Sequence, residues 1–392
     1  MPLGAAIVTA KRQFPFGKPM LGDAERQAAI NVLMGTQLVH GPIAKGFEAN
    51  FARYIGGGYA TSVGSCTAAL HLAYFYLGIG TGDEVIVPAQ THVATSHAVE
   101  FTGATVVFAD ADLNTGNVSI DEIDRNITPR TRAICVVHYL GLPLDMDRVN
   151  AIAKRHNLFV VEDCALAIGS RYKGVHAGLL GDVGCFSFYP IKHMTTGEGG
   201  MVTARDEKII QRIERQKAFG VDRTVAERKV PGIYDVNMLG YNYRMSEIAA
   251  AIGTEQLKRV DGFLARRARN SKSLRAGLAE IDEVTVLAEG GGDFDHSNYC
   301  IAAVLDDRTA RQRSAIIASL NAAGVGTSVY YPQAVPHMTY YREKYKTKPG
   351  EYPHASRISN QSIALTVGPH VDEEDMRYTA RVLKDAIARV AK

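Results

Sequence analysis

Residues 84–161 read EVIVPAQTHVATSHAVEFTGATVVFADADLNTGNVSIDEIDRNITPRTRAICVVHYLGLPLDMDRVNAIAKRHNLFVV. Four short apolar runs lie within it, at 84–88, 105–108, 133–137 and 158–161. Each is brief, rich in Val, Ile or Phe, and suited to a buried strand. Between them stand amphipathic stretches at 94–102, 120–126 and 147–156, with the periodicity of helices. Strand and helix in alternation predict an α/β domain with a mostly parallel central sheet flanked by helices.

Outward from this stretch, 67–77 predicts a further helix, and 185–188 and 200–203 a further pair of strands. From about Met245 the texture changes. Long helical patterns at 246–259 and 263–281 precede a strand-like 299–305, a helix at 309–324, a strand-like 326–331 and a terminal helix from about Asp372. The expected division is a large domain over 1–255, including the N-terminal segment, and a smaller α+β domain over 256–392.

The chain has 392 residues and a net charge of only +3, so no electrostatic case for nucleic acid or an anionic membrane follows. Five scattered cysteines without Cys-x-x-Cys spacing argue against a disulfide framework or structural zinc. No run approaches the roughly 18 to 20 apolar residues of a membrane span, and the N-terminus lacks a secretory pattern. A cytoplasmic protein is expected.

Three segments carry chemistry. In VEDCA (161–165) an acidic pair follows an apolar strand, where open α/β sheets place their ligands. Asp163 suits either a helix N-cap or a ligand-facing carboxylate. In SFYPIKH (187–193), followed by TTGEGG (195–200), Lys192 comes after a short strand and before a glycine-rich turn. A pyridoxal enzyme needs a lysine that holds the cofactor covalently and an acid facing its ring nitrogen; Lys192 and Asp163 supply both. GSCTAAL (64–70) opens a helix, so its backbone N–H groups and the Ser65 and Thr67 hydroxyls could cradle a phosphate or simply cap the helix.

With these residues in hand, the chain resembles the DegT/DnrJ/EryC1/StrS sugar aminotransferases, pyridoxal enzymes of fold type I. The matching pieces are GSCTAAL (64–70), GDEVIVPAQTHVAT (82–95), ITPRTRAICVVHYLG (127–141), VVEDCALAIGS (160–170), GDVGCFSFYPIKHMTTGEGGMV (181–202) and LGYNYRMSEIAAAIG (239–253). They cover most of the first 255 residues in order; GVGTSVYYP (324–332) and ALTVGPHVDEEDM (364–376) match more loosely. The resemblance implies pyridoxal 5'-phosphate as cofactor, passing through pyridoxamine 5'-phosphate during turnover. By position, Lys192 is the anchor and proton shuttle, and Asp163 is the ring-nitrogen partner. Ser65, Cys66 (through its backbone), Thr67 and Ser187 form the phosphate cradle, and His92 is a ring stacked over the cofactor. Asn242 would reach the site of a neighbouring subunit, implying a homodimer. His138, His193 and Tyr331 are candidates for the substrate pocket. The implied reaction moves an amino group, with L-glutamate as donor, to a keto sugar nucleotide such as a 4-keto-6-deoxy hexose.

Three departures stand out. Cys66 replaces a frequent glycine, Leu166 replaces a polar residue, and His193 follows the lysine. In a related branch, the pyridoxamine-phosphate-dependent 3-dehydratases, histidine replaces that lysine. Dehydration on the same scaffold, transfer to a ketose or cyclitol without a nucleotide, and a non-catalytic pyridoxal-binding regulator are the rival readings.

Overall fold

A computed structural model describes residues 12–223, 230 and 232–390. Its main sheet has seven strands: β1 (Tyr59–Val63), β2 (Glu84–Pro88), β3 (Thr105–Ala109), β4 (Thr131–Val137), β5 (Phe159–Asp163), then, after the short hairpin β6 (Arg171–Tyr172) and β7 (Val175–His176), β8 (Val183–Ser187) and β9 (Gly200–Ala204). Their spatial order is β1-β9-β8-β5-β4-β2-β3. The five strands from β8 to β3 are mutually parallel, and β9 and β1 close one edge antiparallel.

Helices cover both faces of this sheet, and that is why its strands read as unbroken apolar runs instead of alternating. In β2, Val85 and Val87 join one buried cluster with Leu70 and Tyr74 of the helix Cys66–Tyr76. Ile86 between them joins another, with Val149 and Ile152 of the helix Met146–His156. Each expected helix of the 67–156 region is present within a residue or two, beginning at Cys66, Val93, Ile120 and Met146.

The C-terminal part carries a second sheet, with β10 (Val284–Val286), β12 (Cys300–Leu305), β13 (Thr327–Ser328) and β14 (Ser362–Thr366) in the order β10-β12-β14-β13; the short β11 (Phe294–Asp295) pairs with β6. Its core packs Leu274 and Leu278 of the helix Val260–Leu278 against Ile301, Leu365 and Leu383. Phe14, bridged to Val325, joins that core, so the N-terminal segment lies against the second sheet. Two expectations there are corrected. The 309–324 helix begins with a 3-10 turn at Thr309–Gln312 before the α-helix Arg313–Ala322. The 326–331 strand shrinks to Thr327–Ser328, with the Tyr330–Tyr331 peptide in cis. Among the described residues no helix is long and apolar enough to cross a membrane.

Candidate active site

The carboxyl ends of the parallel strands converge on one edge of the sheet, and Asp163 is the last residue of β5, paired in register with Val137 of β4 and Cys185 of β8. No helix follows it, so the capping role is absent; its Oδ1 accepts the Ala165 N–H at 3.0 Å. Oδ2 accepts the Thr95 hydroxyl at 2.8 Å, and only 5% of the residue is exposed.

Two residues beyond Ser187, the end of β8, the chain turns through Tyr189, whose carbonyl accepts the Lys192 N–H at 3.0 Å. The Lys192 side chain is half-buried, with Nζ 5.3 Å from the centre of the Tyr299 ring. Among the described residues its ammonium makes no hydrogen bond or ion pair. Burial pushes its pKa below that of an ordinary lysine, although Cys66 and Asp163 pull the other way. His92 and Cys66 also feel the charges of Lys192 and Asp163, which puts these four groups in one neighbourhood.

The loop before the helix Cys66–Tyr76 completes the cradle. Ser65 caps the helix, its Oγ accepting the Ala68 N–H at 3.1 Å. The Thr67 hydroxyl, in the first turn, has no partner among the described residues. Strand β9 passes close beneath this turn, where a Cβ on Gly200 would lie 2.6 Å from the Ser65 carbonyl carbon. Only glycine allows that approach. Cys66 donates its thiol to the Cys185 carbonyl at 3.4 Å, and burial holds the thiol well above its ordinary pKa. It is a packed filler, not a thiolate. Ser187 is buried and its Oγ accepts the Tyr189 N–H at 3.4 Å.

His92 caps the helix Val93–Glu100, with Nδ1 accepting the Ala94 N–H at 3.1 Å, and its ring stands 5.7 Å from that of Tyr331. The Tyr331 loop is tied down through the Tyr330 carbonyl, which accepts from Gln90 Nε2 at 2.9 Å and from the Tyr139 hydroxyl. Tyr331 therefore lies beside His92, buried and within reach of the Asp163 charge. Tyr340 and Tyr341 do not; they pack around His97, at the other end of that helix.

His138 is not brought to this pocket. It is fully buried, with Nε2 2.9 Å from Glu162, and its Nδ1 accepts the Leu144 N–H at 3.4 Å. Glu162 and Asp163 are neighbours on a strand and serve opposite faces of the sheet, so a histidine paired with Glu162 is on the wrong side. His193 is turned away too: its Nε2–H donates to the Ser297 carbonyl at 3.1 Å, and burial drives its pKa far down. Asn242 is exposed, in a segment bridged to Ala218. A cavity of about 1120 Å³ opens near it, lined in part by His40, Lys217, Phe219 and Arg244, but it includes neither Lys192 nor Asp163.

Thr91, Thr95 and Tyr299 were not singled out from the sequence. The two threonines lie inside the motif THVAT, whose i, i+4 spacing was the available signal; Tyr299 had none.

The residues present fit pyridoxal phosphate: an unpaired amine, a fixed carboxylate, and a helix N-terminus with a free hydroxyl over a glycine strand. The chain matches the DegT/DnrJ/EryC1/StrS aminotransferase family over residues 19–384. It is 36% identical over 376 residues to the GDP-perosamine synthase of Escherichia coli O157:H7, covering 95% of this chain and 98% of that one. The spore coat polysaccharide biosynthesis protein SpsC of Bacillus subtilis is 34% identical over 379 residues, covering 95% and 97%. Among solved structures, the aminotransferase from Psychrobacter cryohalolentis superposes with a TM-score of 0.89 at 32% identity, covering 96% of this chain and 100% of that one. Spr1654 of Streptococcus pneumoniae, described as a sugar aminotransferase and solved in its PMP form, gives 0.91 at 27% identity, covering 96% and 100%.

Proposed function

The chain belongs to the DegT/DnrJ/EryC1/StrS aminotransferase family, pyridoxal-phosphate-dependent enzymes acting on sugars, and on that premise we propose that it transfers the amino group of L-glutamate to a keto sugar nucleotide. The observation that carries the reading is the Lys192 amine, half-buried beside the buried Asp163 and without a hydrogen-bonding partner among the described residues.

When bound, pyridoxal phosphate supplies the electron sink that acidifies a carbon next to the amine. The chain's own groups do the rest. Lys192 Nζ, whose burial favours the neutral amine, holds the cofactor and then moves a proton from the donor's α-carbon. Asp163, held on both oxygens, would keep a proton on the cofactor's ring nitrogen. The Thr67 and Ser187 hydroxyls and the backbone N–H groups of the Ser65–Thr67 turn hold the phosphate at a helix N-terminus. His92 and Tyr331, whose rings lie 5.7 Å apart, would meet the acceptor sugar.

A nucleotide-linked acceptor is supported by the name of the GDP-perosamine synthase relative, and a 4-keto-6-deoxy hexose is the acceptor we favour. Exposed apolar side chains around Asn242, among them Phe219, Tyr234, Val236 and Leu239, support a homodimer in which Asn242 completes the neighbouring site. Transfer is favoured over 3-dehydration because Lys192 is present and His193 is engaged with Ser297.

The test is spectroscopic and then chemical. Glutamate should bleach the visible absorption of the holoenzyme, and a 4-keto sugar nucleotide should restore it with release of an amino sugar identified by mass spectrometry. Failure of glutamate where another amine succeeds would overturn the donor. A deoxy sugar as product would overturn transfer itself.

A further inference from the structure

Both oxygens of Asp163 are engaged from within the chain, Oδ1 by the Ala165 N–H and Oδ2 by the Thr95 hydroxyl at 2.8 Å. Thr95 Oγ1 also lies 2.7 Å from Thr91 Oγ1. A hydroxyl has one proton to give, and an ionised carboxylate only accepts. The Thr95 proton is therefore spent on Asp163, and Thr91 must donate to Thr95. The order of donors runs from Thr91 to Thr95 to Asp163.

The tie crosses the sheet. Asp163 ends β5, whereas the threonines sit at the start of the helix that follows β2, with β4 between the two strands. Thr91 and Thr95 are essentially unexposed, at 1% and 0%. An aspartate's terminal torsion is broad and roughly two-fold, so strand position alone does not set the plane of its carboxylate. A charge-assisted bond to one oxygen and a backbone N–H to the other do set it. A second hydroxyl behind the first orients and polarises it.

We propose that Thr95 is a positioning residue for the cofactor-facing carboxylate of Asp163, and that Thr91 in turn orients Thr95. The proposal rests on pyridoxal phosphate being the ligand that Asp163 meets. It assigns these two hydroxyls to cofactor binding, not to mutual satisfaction within the core.

The experiment titrates apo protein with pyridoxal phosphate and records both the dissociation constant and the visible absorption maximum. Thr95→Val keeps the shape and removes the hydroxyl. Its affinity should fall about tenfold, the scale of one hydrogen bond to a charged group, and its absorption maximum should move. Thr95→Ser should restore both, and Thr91→Val should fall between. Wild-type affinity and spectrum in Thr95→Val overturn the proposal. If that variant does not fold, Thr95→Ala carries the same test with the same overturning result. Wild-type protein that fails to bind pyridoxal phosphate would sink the cofactor reading instead.

Discussion

The Lys192 ammonium lies over the ring of Tyr299, 5.3 Å from its centre, and among the described residues it has no carboxylate partner. A ring face stabilises a cation only modestly, too little to offset the desolvation that pushes the Lys192 pKa down. The neutral, nucleophilic amine is therefore available at lower pH than in an ordinary lysine. Covalent capture of pyridoxal phosphate by the apo protein should accelerate with rising pH through a midpoint below 10.5, the ordinary lysine value. Stopped-flow absorbance across a pH series measures it, and a midpoint at or above that value contradicts the assignment. Lys192→Ala should abolish capture and slow transamination by roughly 10² to 10⁴-fold.

A buried ion pair supports the strand that leads into the Ser65 turn. Lys217 Nζ sits 3.0 Å from Glu48 Oε1 and also donates to Thr61 Oγ1 and the Ser62 carbonyl. Burial would raise the Glu48 pKa, but the charges of Lys217 and Lys45 overcome it and bring it to about 2. A depressed carboxylate contributes stability that is complete above its unfolded pKa and lost as pH falls through the folded one. Acid unfolding should therefore show a contribution from Glu48 that fades between 4.5 and about 2. Lys217→Met should cost ~3 kcal/mol in urea melts at neutral pH, because the buried Glu48 then keeps, among the described residues, one charged partner, the more exposed Lys45, beside its bonds from Ser62. A loss under half that figure would count against the pair.

A pair of another kind joins His138, just beyond β4, to Glu162, whose side chain leaves β5 on the face opposite Asp163. Glu162 also accepts the N–H groups of Gly178, Leu180 and Gly181, which fastens the 178–181 turn to the sheet. His138→Ala should lower stability by ~3 kcal/mol while the glutamate KM of the folded fraction stays unchanged. A selective rise in KM without loss of stability would return His138 to the pocket.

If Asn242 completes the site of a second copy, each intact site takes Lys192 from one subunit and Asn242 from the other. Lys192→Ala and Asn242→Ala proteins should each be inactive or weak alone. Unfolded and refolded together in equal amounts, they should recover about a quarter of wild-type activity, because half the dimers then hold one intact site. Recovery no greater than the sum of the separate proteins would refute a shared site.

Much of this was legible in the sequence because the central sheet is covered on both faces. Burial on two sides forces unbroken apolar runs such as EVIVP and AICVV, so strand positions can be read from composition alone. Lys192 and Asp163 follow from the same logic, since each stands just beyond such a run. Sequence by itself determined the fold class and marked Lys192, Asp163 and the turn before the helix Cys66–Tyr76 as the candidates for cofactor binding.

The tertiary structure decided orientation. Adjacent residues on a strand point to opposite faces, so only the folded sheet shows that Asp163 meets Thr95 while Glu162 holds His138. The same holds for the pair Lys192 and His193, where a carbonyl 104 residues away at Ser297 draws the imidazole aside. Thr95 reached Asp163 across 68 positions of chain. Such partners are fixed by which strands lie side by side, and a contact between distant segments leaves no periodic mark in either one.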